Sequence, residues 1–445
     1  MRKALLITSF AMIGLCGCSK AQTPEVVETP AANAPEAQAP EGEAPAAQDE
    51  KKADASECKR PDATIDEKAW SDASNSFSLN LLRATSSKLS NTVVSAYSVE
   101  RAFGMVLEGA CGDTAKQMQT SLSMPEAGNL GEMGSNVENK LLGSLSDPAT
   151  IQIDNKLWLE KTYTLLESYT ARMQTAYHAE INQVDFVKEP EEARKTINAS
   201  VAKSTMDKIQ DILPAGYIMP TTRLVLTNAI YFKAPWRDTF EPGVTKKEDF
   251  KTANGPVQVD MMFHTKKHHV FFGEGYKAVA MPFSSSSYYL AIILPDLADG
   301  QDVNEALMKV ENSLTAASLR KMNDEMEQYM VKYKVPKFRV EFGASLRSLL
   351  QSMGMILPFS DKADFSGITS LNDLMISDVF HKAYIDIDEN GAEAAAATAI
   401  VMRTKSMARP PIDKPLEITV DHPFTFALMD KQTGTALFMG RVVSF

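Results

Sequence analysis

The chain has 445 residues, of which 44% are hydrophobic and 23% are charged, and its formal net charge is -11 at pH 7. These values are ordinary for a soluble globular protein and leave enough apolar residues for a large core. The acidic balance and the absence of a basic block in the sequence argue against a nucleic-acid partner.

The N-terminus has the pattern of a secretory signal, with two basic residues before an apolar run that ends at Leu15. This run is too short to span a membrane. It leads into Leu-Cys-Gly-Cys, which resembles the bacterial lipobox, where a small residue precedes the lipidated cysteine. We therefore expect residues 1–17 to be removed and Cys18, which follows Gly17, to carry a lipid anchor. The alternative is an ordinary cleaved signal with two incidental thiols.

The segment that follows, residues 18–57, is rich in alanine, proline and acidic residues and has no aromatic residue. Such a segment cannot bury a core, and we expect it to be an extended tether. Ser19 follows Cys18 and resembles the sorting position of lipoproteins sent to an outer membrane. The expected location is the cell envelope: the outer membrane or surface of a Gram-negative host, or otherwise the extracellular space.

Two further cysteines, Cys58 and Cys111, belong to a chain that leaves the reducing cytoplasm. An exported pair is free to form a disulfide. Spacing alone does not decide whether they meet, and two unpaired buried thiols are the alternative.

Residues 58–445 have globular composition throughout, and we interpret them as one domain that acts as a monomer. Apolar spacing predicts helices over 70–81 and 99–110, a strand over 151–159 and a helical segment over 190–213. Predicted strands follow at 224–232, 257–262, 288–294, 330–342, 379–387 and, in two or three pieces, 424–443, with helical segments at 303–322 and 344–353. Regular βαβ alternation is missing, so the predicted class is α+β with antiparallel or mixed sheets.

Sequence motifs of enzymes are absent: there is no nucleophile elbow, zincin helix, phosphate-binding loop or dinucleotide fingerprint. The sequence therefore predicts neither an enzyme nor a cofactor. The histidines at 264, 268 and 269 have no local carboxylate or thiol, and we interpret them as a solvated strand end rather than a metal site. Asp386 opens a calcium-loop pattern, but the closing acid is replaced by Ala397, so no calcium loop is expected.

A run of small residues follows the predicted strand at 379–387 and precedes a basic loop that ends in two prolines. The run and the residues before it are Glu389, Gly391, Ala392, Glu393, Ala394, Ala395, Ala396, Ala397 and Thr398. Alanine favours helices, so a short surface helix is one interpretation. As a strand, its alternate side chains would turn Ala392, Ala394, Ala396 and Thr398 to one face and Glu393 to the other.

This segment closely resembles the hinge of inhibitory serpins, whose reactive loop is cleaved by a protease and then inserts as a strand into the central sheet. The resemblance implies that small residues face inward, that Glu393 faces water and that the glycine lets the backbone turn. It also implies that the loop is exposed before cleavage, including Ala392.

Other segments resemble the same family in the same order. They lie at 94–99, 108–118, 197–209, 228–236, 260–263, 421–428 and 436–442. By this resemblance Ser95, Ser98, Asn228 and His381 hold the sheet closed as a shutter, and Trp236 lies at the top of the sheet. The implied fold is the serpin fold, with mixed β-sheets, surrounding helices and an exposed reactive loop.

Family spacing from Glu389 places the reactive bond between Lys405 and Ser406. A lysine there suits the pocket of a trypsin-like serine protease, with elastase-like or cysteine proteases as other targets. The stretch after this bond is longer than the family pattern, so Met402, Arg403 and Arg409 stay open as alternatives. The implied function is suicide inhibition; the rival interpretation is a non-inhibitory serpin that acts as a binding or chaperone module.

Overall fold

The structure is a computed structural model that describes residues 61–87, 89–177, 181–284, 286–371, 373–392 and 414–445. All of these lie in one compact unit, Ala53–Phe445. The predicted signal, the tether, Cys18, Cys58 and the predicted reactive bond lie outside the described residues. None of the described helices is both long and apolar enough to cross a membrane.

The described residues form nine α-helices, of which the first six precede residue 205. They are α1 (Glu67–Ala84), α2 (Ala96–Leu107), α3 (Gly112–Ser121), α4 (Leu130–Gly143), α5 (Glu167–Arg172), α6 (Pro190–Ser204), α7 (Val303–Ser313), α8 (Ala316–Glu325) and α9 (Arg347–Ser352). The first helix begins where the Asp66 carboxylate accepts a hydrogen bond from the Ala69 amide at 2.7 Å, which satisfies a free amide of the first turn. Its buried face carries Trp70, Phe77 and Leu81, so the predicted helix is confirmed.

A six-stranded sheet, here called the central sheet, is formed by described residues in the order β10-β11-β12-β4-β2-β3. Its strands are β2 (Thr150–Glu160), β3 (Ile181–Val184), β4 (Leu224–Pro235), β10 (Phe338–Ser345), β11 (Asp378–Ile387) and β12 (Gly391–Ala392). The pairing is mixed, because β11 runs parallel to β4 whereas β2 runs antiparallel to it. The predicted α+β class with mixed sheets is confirmed.

The second sheet has the order β1-β15-β14-β8-β7-β6-β9-β13 within the described part of the chain, and β5 also pairs with β6. Its strands are β1 (Thr92–Val94), β5 (Lys246–Thr252), β6 (Gly255–Gly273), β7 (Tyr276–Pro282), β8 (Tyr288–Pro295), β9 (Glu327–Pro336), β13 (Leu416–Thr419), β14 (Phe424–Asp430) and β15 (Ala436–Val442). Helix α2, which is almost entirely buried, packs against β2 and β4 of the central sheet and β15 of the second.

Among the predicted elements that differ from the structure, two differ for a clear local reason. The helical segment predicted over 190–213 ends at Ser204, because Met206, Asp207 and Asp211 have positive φ angles of 52°, 59° and 49° that a helix does not allow. The strand predicted over 330–342 is two strands, β9 and β10, which lie in different sheets on either side of Lys337.

Candidate functional site

The candidate site is the boundary between β4 and β11 in the central sheet. The two strands pair directly from Val225 to Ile230 on β4. Beyond this stretch the two-residue strand β12 lies between them, with Ala392 opposite Ala234 of β4 and Ile387 of β11. The sheet is therefore closed along its middle and already opened at one end, here called the insertion end.

Gly391 and Ala392 form this short strand, and both are buried. A Cβ atom on Gly391 would lie 2.2 Å from the Ala234 carbonyl oxygen, and the φ angle of Gly391 is +153°, so glycine is required there. The side chain of Ala392 has 0% exposure. The expectation that Ala392 is exposed before cleavage is therefore wrong, because β4 and β11 already admit this residue. The rest of the predicted hinge, Glu393 to Thr398, lies outside the described residues, as do Met402, Arg403, Lys405, Ser406 and Arg409.

A tight turn connects β11 to β12. The Asp388 carboxylate accepts hydrogen bonds from the amides of Asn390 at 2.7 Å and Gly391 at 3.2 Å. The carbonyl of Asn390 in turn accepts from the Trp236 amide at 2.8 Å. The acidic stretch that resembles a calcium loop thus closes a turn and fixes it to the end of β4.

Glu389 ties the same turn to the residue between β9 and β10 and to the residue that precedes β5. Its buried carboxylate forms an ion pair with Lys337 at 2.9 Å and accepts a hydrogen bond from the Thr245 hydroxyl at 2.8 Å. Burial alone would raise the pKa of the Glu389 carboxyl, but the hydrogen bonds from Lys337 and Thr245 outweigh burial and lower it. Glu389 therefore acts as a charged anchor. The sequence did not predict its partners, because both lie far away along the chain.

Trp236 covers the insertion end from the side of β4. Its ring stacks on Phe283 with 4.3 Å between ring centroids, and its indole N–H donates to the Asp388 carbonyl at 2.8 Å. The tryptophan predicted for the top of the sheet thus contacts the turn before the hinge. Trp236 lies well away from the four predicted shutter residues, since Asn228 and Ala234 are separated by about 20 Å of strand.

Those four residues meet in the middle of the boundary. The Ser98 hydroxyl donates to the Asn228 side-chain oxygen at 2.9 Å, and the Ser95 amide donates to Nε2 of His381 at 3.1 Å. Nδ1 of His381 is also hydrogen-bonded to the Asn228 oxygen, and the Asn228 amide donates to Asn155. We call these five residues the polar network.

His381 is neutral in the polar network. Its Nε2 accepts a hydrogen bond from the Ser95 amide, so Nδ1 carries the hydrogen that is donated to the Asn228 oxygen. Complete burial lowers the pKa of His381 to about 3. Asn155 belongs to the network, although the sequence did not single it out; its only signal was a polar residue within an alternating strand.

The three clustered histidines do not form a solvated strand end, so that prediction is wrong for two of them. His264 and His268 are buried on β6, with 2.7 Å between their Nε2 atoms, and His264 stacks on Phe240. Burial lowers the pKa of His264 to about 3, and His268 adds to this effect. In the described ranges, no group of three or more His, Cys, Asp or Glu residues is arranged to hold a metal ion.

Cys111 is buried just before α3 and takes part in a disulfide. Its predicted partner, Cys58, lies outside the described residues, so the pairing stays a prediction. The Ser366 hydroxyl lies 3.2 Å from the Cys111 sulfur.

Comparisons of sequence point to one family. A family model described as Serpin (serine protease inhibitor) matches residues 72–445. An uncharacterised serpin-like protein of Thermococcus kodakarensis is 38% identical over 383 residues, which cover 85% of this chain and 86% of that protein. The leukocyte elastase inhibitor of Bos taurus is 35% identical, with 80% of this chain and 93% of the relative covered.

Comparisons of structure agree with those of sequence. Serpin48 of the insect Tenebrio molitor is similar with a TM-score of 0.73 and 29% identity, over 86% of this chain and 100% of that one. Human thyroxine-binding globulin is similar with a TM-score of 0.73 and 26% identity, over 85% of this chain and 99% of that one. The predicted fold is therefore confirmed.

Proposed function

Since this chain belongs to the serpin family, we propose that it is a single-use inhibitor of serine proteases whose cleaved loop inserts into the central sheet. Serpins are typically protease inhibitors and not catalytic enzymes. The observation that carries the proposal is β12, which places Ala392 between β4 and β11. Each further residue that entered would lengthen this strand between the same two neighbours.

Insertion improves the pairing of the sheet. In the intact protein β4 and β11 share one parallel ladder from Asp378 to Ala383 of β11. A full strand between them would replace that ladder with two antiparallel ladders, which are slightly more stable per residue. The alternation of side chains would bring Ala394, Ala396 and Thr398 inward after Ala392, and each is small enough for a closely packed core.

The polar network lies directly in the path of insertion. Asn228 and His381 are partners in the ladder between β4 and β11, and they are hydrogen-bonded to each other. A strand that passes between them must break this hydrogen bond, and the side chains of Asn228 and His381 then need new hydrogen-bond partners. We infer that the network delays insertion until cleavage frees the loop, because unpaired buried polar groups are costly.

A trypsin-like protease is the proposed target, with Lys405–Ser406 as the reactive bond. The protease would form its acyl-enzyme on Lys405 and be carried along as the loop inserts, before water releases it. A pocket with a buried carboxylate binds lysine or arginine, so the assignment holds if Arg403 or Arg409 is cleaved instead. Cleavage after Met402 would indicate an elastase-like target.

The direct test is incubation of residues 58–445 with trypsin-like and elastase-like proteases. We expect an SDS-resistant complex, a peptide mass that identifies the cleaved bond and a large gain in thermal stability of the cleaved protein. Cleavage without a complex or a stability gain would instead indicate a non-inhibitory binding module.

A matched pair of variants tests the mechanism itself. Ala394→Arg would bury an unpaired charge during insertion, at a cost of several kcal/mol, and should convert the inhibitor into a substrate. Glu393→Arg changes the charge further but points outward, and should keep most of the inhibition. Equal behaviour of the two variants would contradict strand insertion.

We also propose that the protein is a lipoprotein of the cell envelope, attached through Cys18. Intact mass spectrometry of the exported protein should show acylation at Cys18, and an unmodified N-terminus would contradict it. The proposed Cys58–Cys111 bridge would contribute about 4 kcal/mol through the entropy of the loop that it closes. Peptide mapping without reduction should recover both cysteines in one linked pair.

A further inference from the structure

Two buried histidines, His264 and His268, face each other on β6 and have no part in the proposed inhibitory mechanism. Their Nε2 atoms are 2.7 Å apart, although the two residues are four positions apart on one strand. A straight strand would separate their Cα atoms by about 13 Å, so β6 is curved here and the side chains lean toward each other. Their exposures are only 8% and 4%. The pair is therefore held together inside the fold.

The hydrogen bonds determine which nitrogen of each ring carries the hydrogen. Nδ1 of His268 lies 3.2 Å from the Ala280 carbonyl oxygen, which can only accept, so this Nδ1 carries a hydrogen. Burial lowers the pKa of both rings, and both are neutral at neutral pH. Nε2 of His268 is then an acceptor, and Nε2–H of His264 donates to it. Nδ1 of His264 is therefore left with a lone pair.

This lone pair of His264 is unsatisfied. Nδ1 is buried and has no hydrogen-bond partner among the described residues. Against the larger effect of burial, the Thr239 carbonyl raises the pKa of the ring, and Nε2 already faces His268, so we place this carbonyl beside Nδ1. A hydrogen on Nδ1 would have an acceptor there. The tautomer that carries it, however, would leave two Nε2 lone pairs facing each other, so neither tautomer satisfies every nitrogen.

We propose that the two Nε2 atoms bind one soft monovalent cation, Ag⁺ or Cu⁺, between them. Imidazole is a good ligand for copper ions. The hydrogen bond between the rings breaks, two coordinate bonds form, and the hydrogen of His264 moves from Nε2 to Nδ1, so no proton is released. Both rings would then donate Nδ1–H to a backbone carbonyl, as metal-bound histidines commonly do. The site does not depend on the proposed inhibitory function.

The surroundings favour a monovalent ion over a divalent one. Two nitrogens alone do not complete the four-ligand shell that Zn²⁺ prefers, whereas they suffice for an ion that accepts two ligands in line. Besides burial, the nearby charges that act on His268 are one acid, Asp238, and two bases, Lys266 and Arg237. Their sum is positive, so a divalent ion would meet more repulsion and a larger cost of desolvation.

The packing around the rings allows the small movement that an ion requires. Metal–nitrogen bonds of about 2.1 Å place two nitrogens in line at about 4 Å, so the Nε2 atoms must separate by about 1.3 Å. The His264 ring lies parallel to Phe240, with 4.0 Å between ring centroids, and stacked rings can slide past each other. Tyr333 lies 5.2 Å from the His268 ring and covers the pair from β9. The two aromatic rings would exclude water from the ion.

Titration of the purified protein with Ag⁺, followed by native mass spectrometry and calorimetry, tests the site. We expect one tightly bound Ag⁺ per protein and an affinity for Zn²⁺ at least about a hundredfold lower, which corresponds to about 2.7 kcal/mol. Because no proton is released, the heat of Ag⁺ binding should be the same in buffers with different heats of ionisation. A thiol ligand would release a proton, so a buffer-dependent heat would overturn the assignment, as would equal affinity for Zn²⁺.

Three variants of one strand supply the matched comparison. His264→Gln and His268→Gln should each weaken Ag⁺ binding at least about a hundredfold. His269→Gln, at the next position of β6, changes a side chain on the opposite face and should keep the affinity of the wild type. Thermal melts establish that each variant is folded. Equal Ag⁺ affinity in all three variants would overturn the proposal.

The tautomer of His264 gives a readout in the wild-type protein that does not depend on any variant. Spectra of ¹⁵N-labelled histidine should show the Nε2–H tautomer of His264 without Ag⁺ and the Nδ1–H tautomer with it, while His268 stays in the Nδ1–H form. A His264 tautomer that did not change on saturation with Ag⁺ would show that the ion binds elsewhere and would overturn the proposal.

Discussion

The boundary between β4 and β11 is held in two different ways along its length. In the middle, the polar network is uncharged and completely buried around Asn228 and His381. At the insertion end, a charged pair holds the turn, and its lysine, Lys337, is 38% exposed. A buried neutral network loses much of its stability when one member is removed, whereas a partly exposed ion pair contributes little. Strands β4 and β11 therefore separate more readily at the insertion end than in the middle of their boundary.

The largest effect is expected at Ala392, within the insertion end. Ala392→Arg would place a guanidinium in a site with 0% exposure, at a cost of several kcal/mol, so β12 should withdraw from the sheet. Hydrogen exchange should then lose protection at Asp388, whose amide donates to the Gly391 carbonyl at 3.1 Å, while the polar network stays protected. Ala392→Ser is the matched small control and should keep β12 in place. Unchanged protection in Ala392→Arg would show that β12 tolerates a charge and that the two regions do not differ as described.

The next effect concerns the middle of the boundary. Asn228→Ala leaves Ser98, His381 and Asn155 without their shared partner and should lower the free energy of unfolding by about 2–4 kcal/mol. The intact variant should also convert faster to a loop-inserted form during heating. Asn312→Ala, on the exposed side of α7, should stay within about 0.5 kcal/mol of the wild type. If the two asparagine variants melted alike, the network would not be what holds the sheet.

The third effect is a loss of folding stability in acid. His381 has a pKa of about 3 in the folded protein and a usual value of 6.5, so between these values the unfolded chain binds the additional proton. Its contribution to stability is therefore complete above pH 6.5 and is lost as the pH falls toward 3, at about 1.4 kcal/mol per pH unit. Urea titrations across this range should show a shallower dependence in His381→Gln. Of these two groups, only His381 should change its contribution between pH 6.5 and 4.5, because the pKa of Glu389 is lowered and its contribution is lost only as the pH falls below its usual value of 4.5.

The smallest effect is expected for that ion pair. A double-mutant cycle with Glu389→Gln and Lys337→Gln should give a coupling of about 0.5–1 kcal/mol, reduced by the exposure of the lysine. The surface pair Lys195–Glu192, whose side chains are 58% and 66% exposed, is the control and should give a coupling near zero. A coupling free energy between Glu389 and Lys337 as large as the loss of unfolding free energy in Asn228→Ala would contradict the difference between the two regions.

The sequence predicted those parts of the boundary that follow from local pattern. The strand predicted over 379–387 differs from β11 by one residue, because apolar and polar positions alternate along it. Ser98, Asn228 and His381 were identified by resemblance, and the structure brings them together. The predicted α1 was accurate because its buried positions repeat at helical spacing.

Other features depend on contacts that no local pattern contains. The early burial of Ala392 depends on the gap between β4 and β11, which are far apart in sequence. The burial of His264 depends on Phe240, which stacks on it and lies before β5 along the chain. The ion pair of Glu389 with Lys337 likewise joins two distant segments. Tertiary packing determines each of these, and single-sequence periodicity does not report it.

The position of the last three strands determines what becomes of the chain after a cut. Every candidate for the reactive bond precedes residue 414, and the segment 414–445 contributes β14 and β15 to the interior of the second sheet and β13 to its edge. Arg441 anchors it further through a buried ion pair with Glu311 at 3.0 Å. A nicked molecule is thus a non-covalent heterodimer of a large and a small polypeptide. The small polypeptide stays bound in the second sheet. The cut therefore frees one end of the loop while the folded molecule keeps its mass. A denaturing gel is needed to detect the nick.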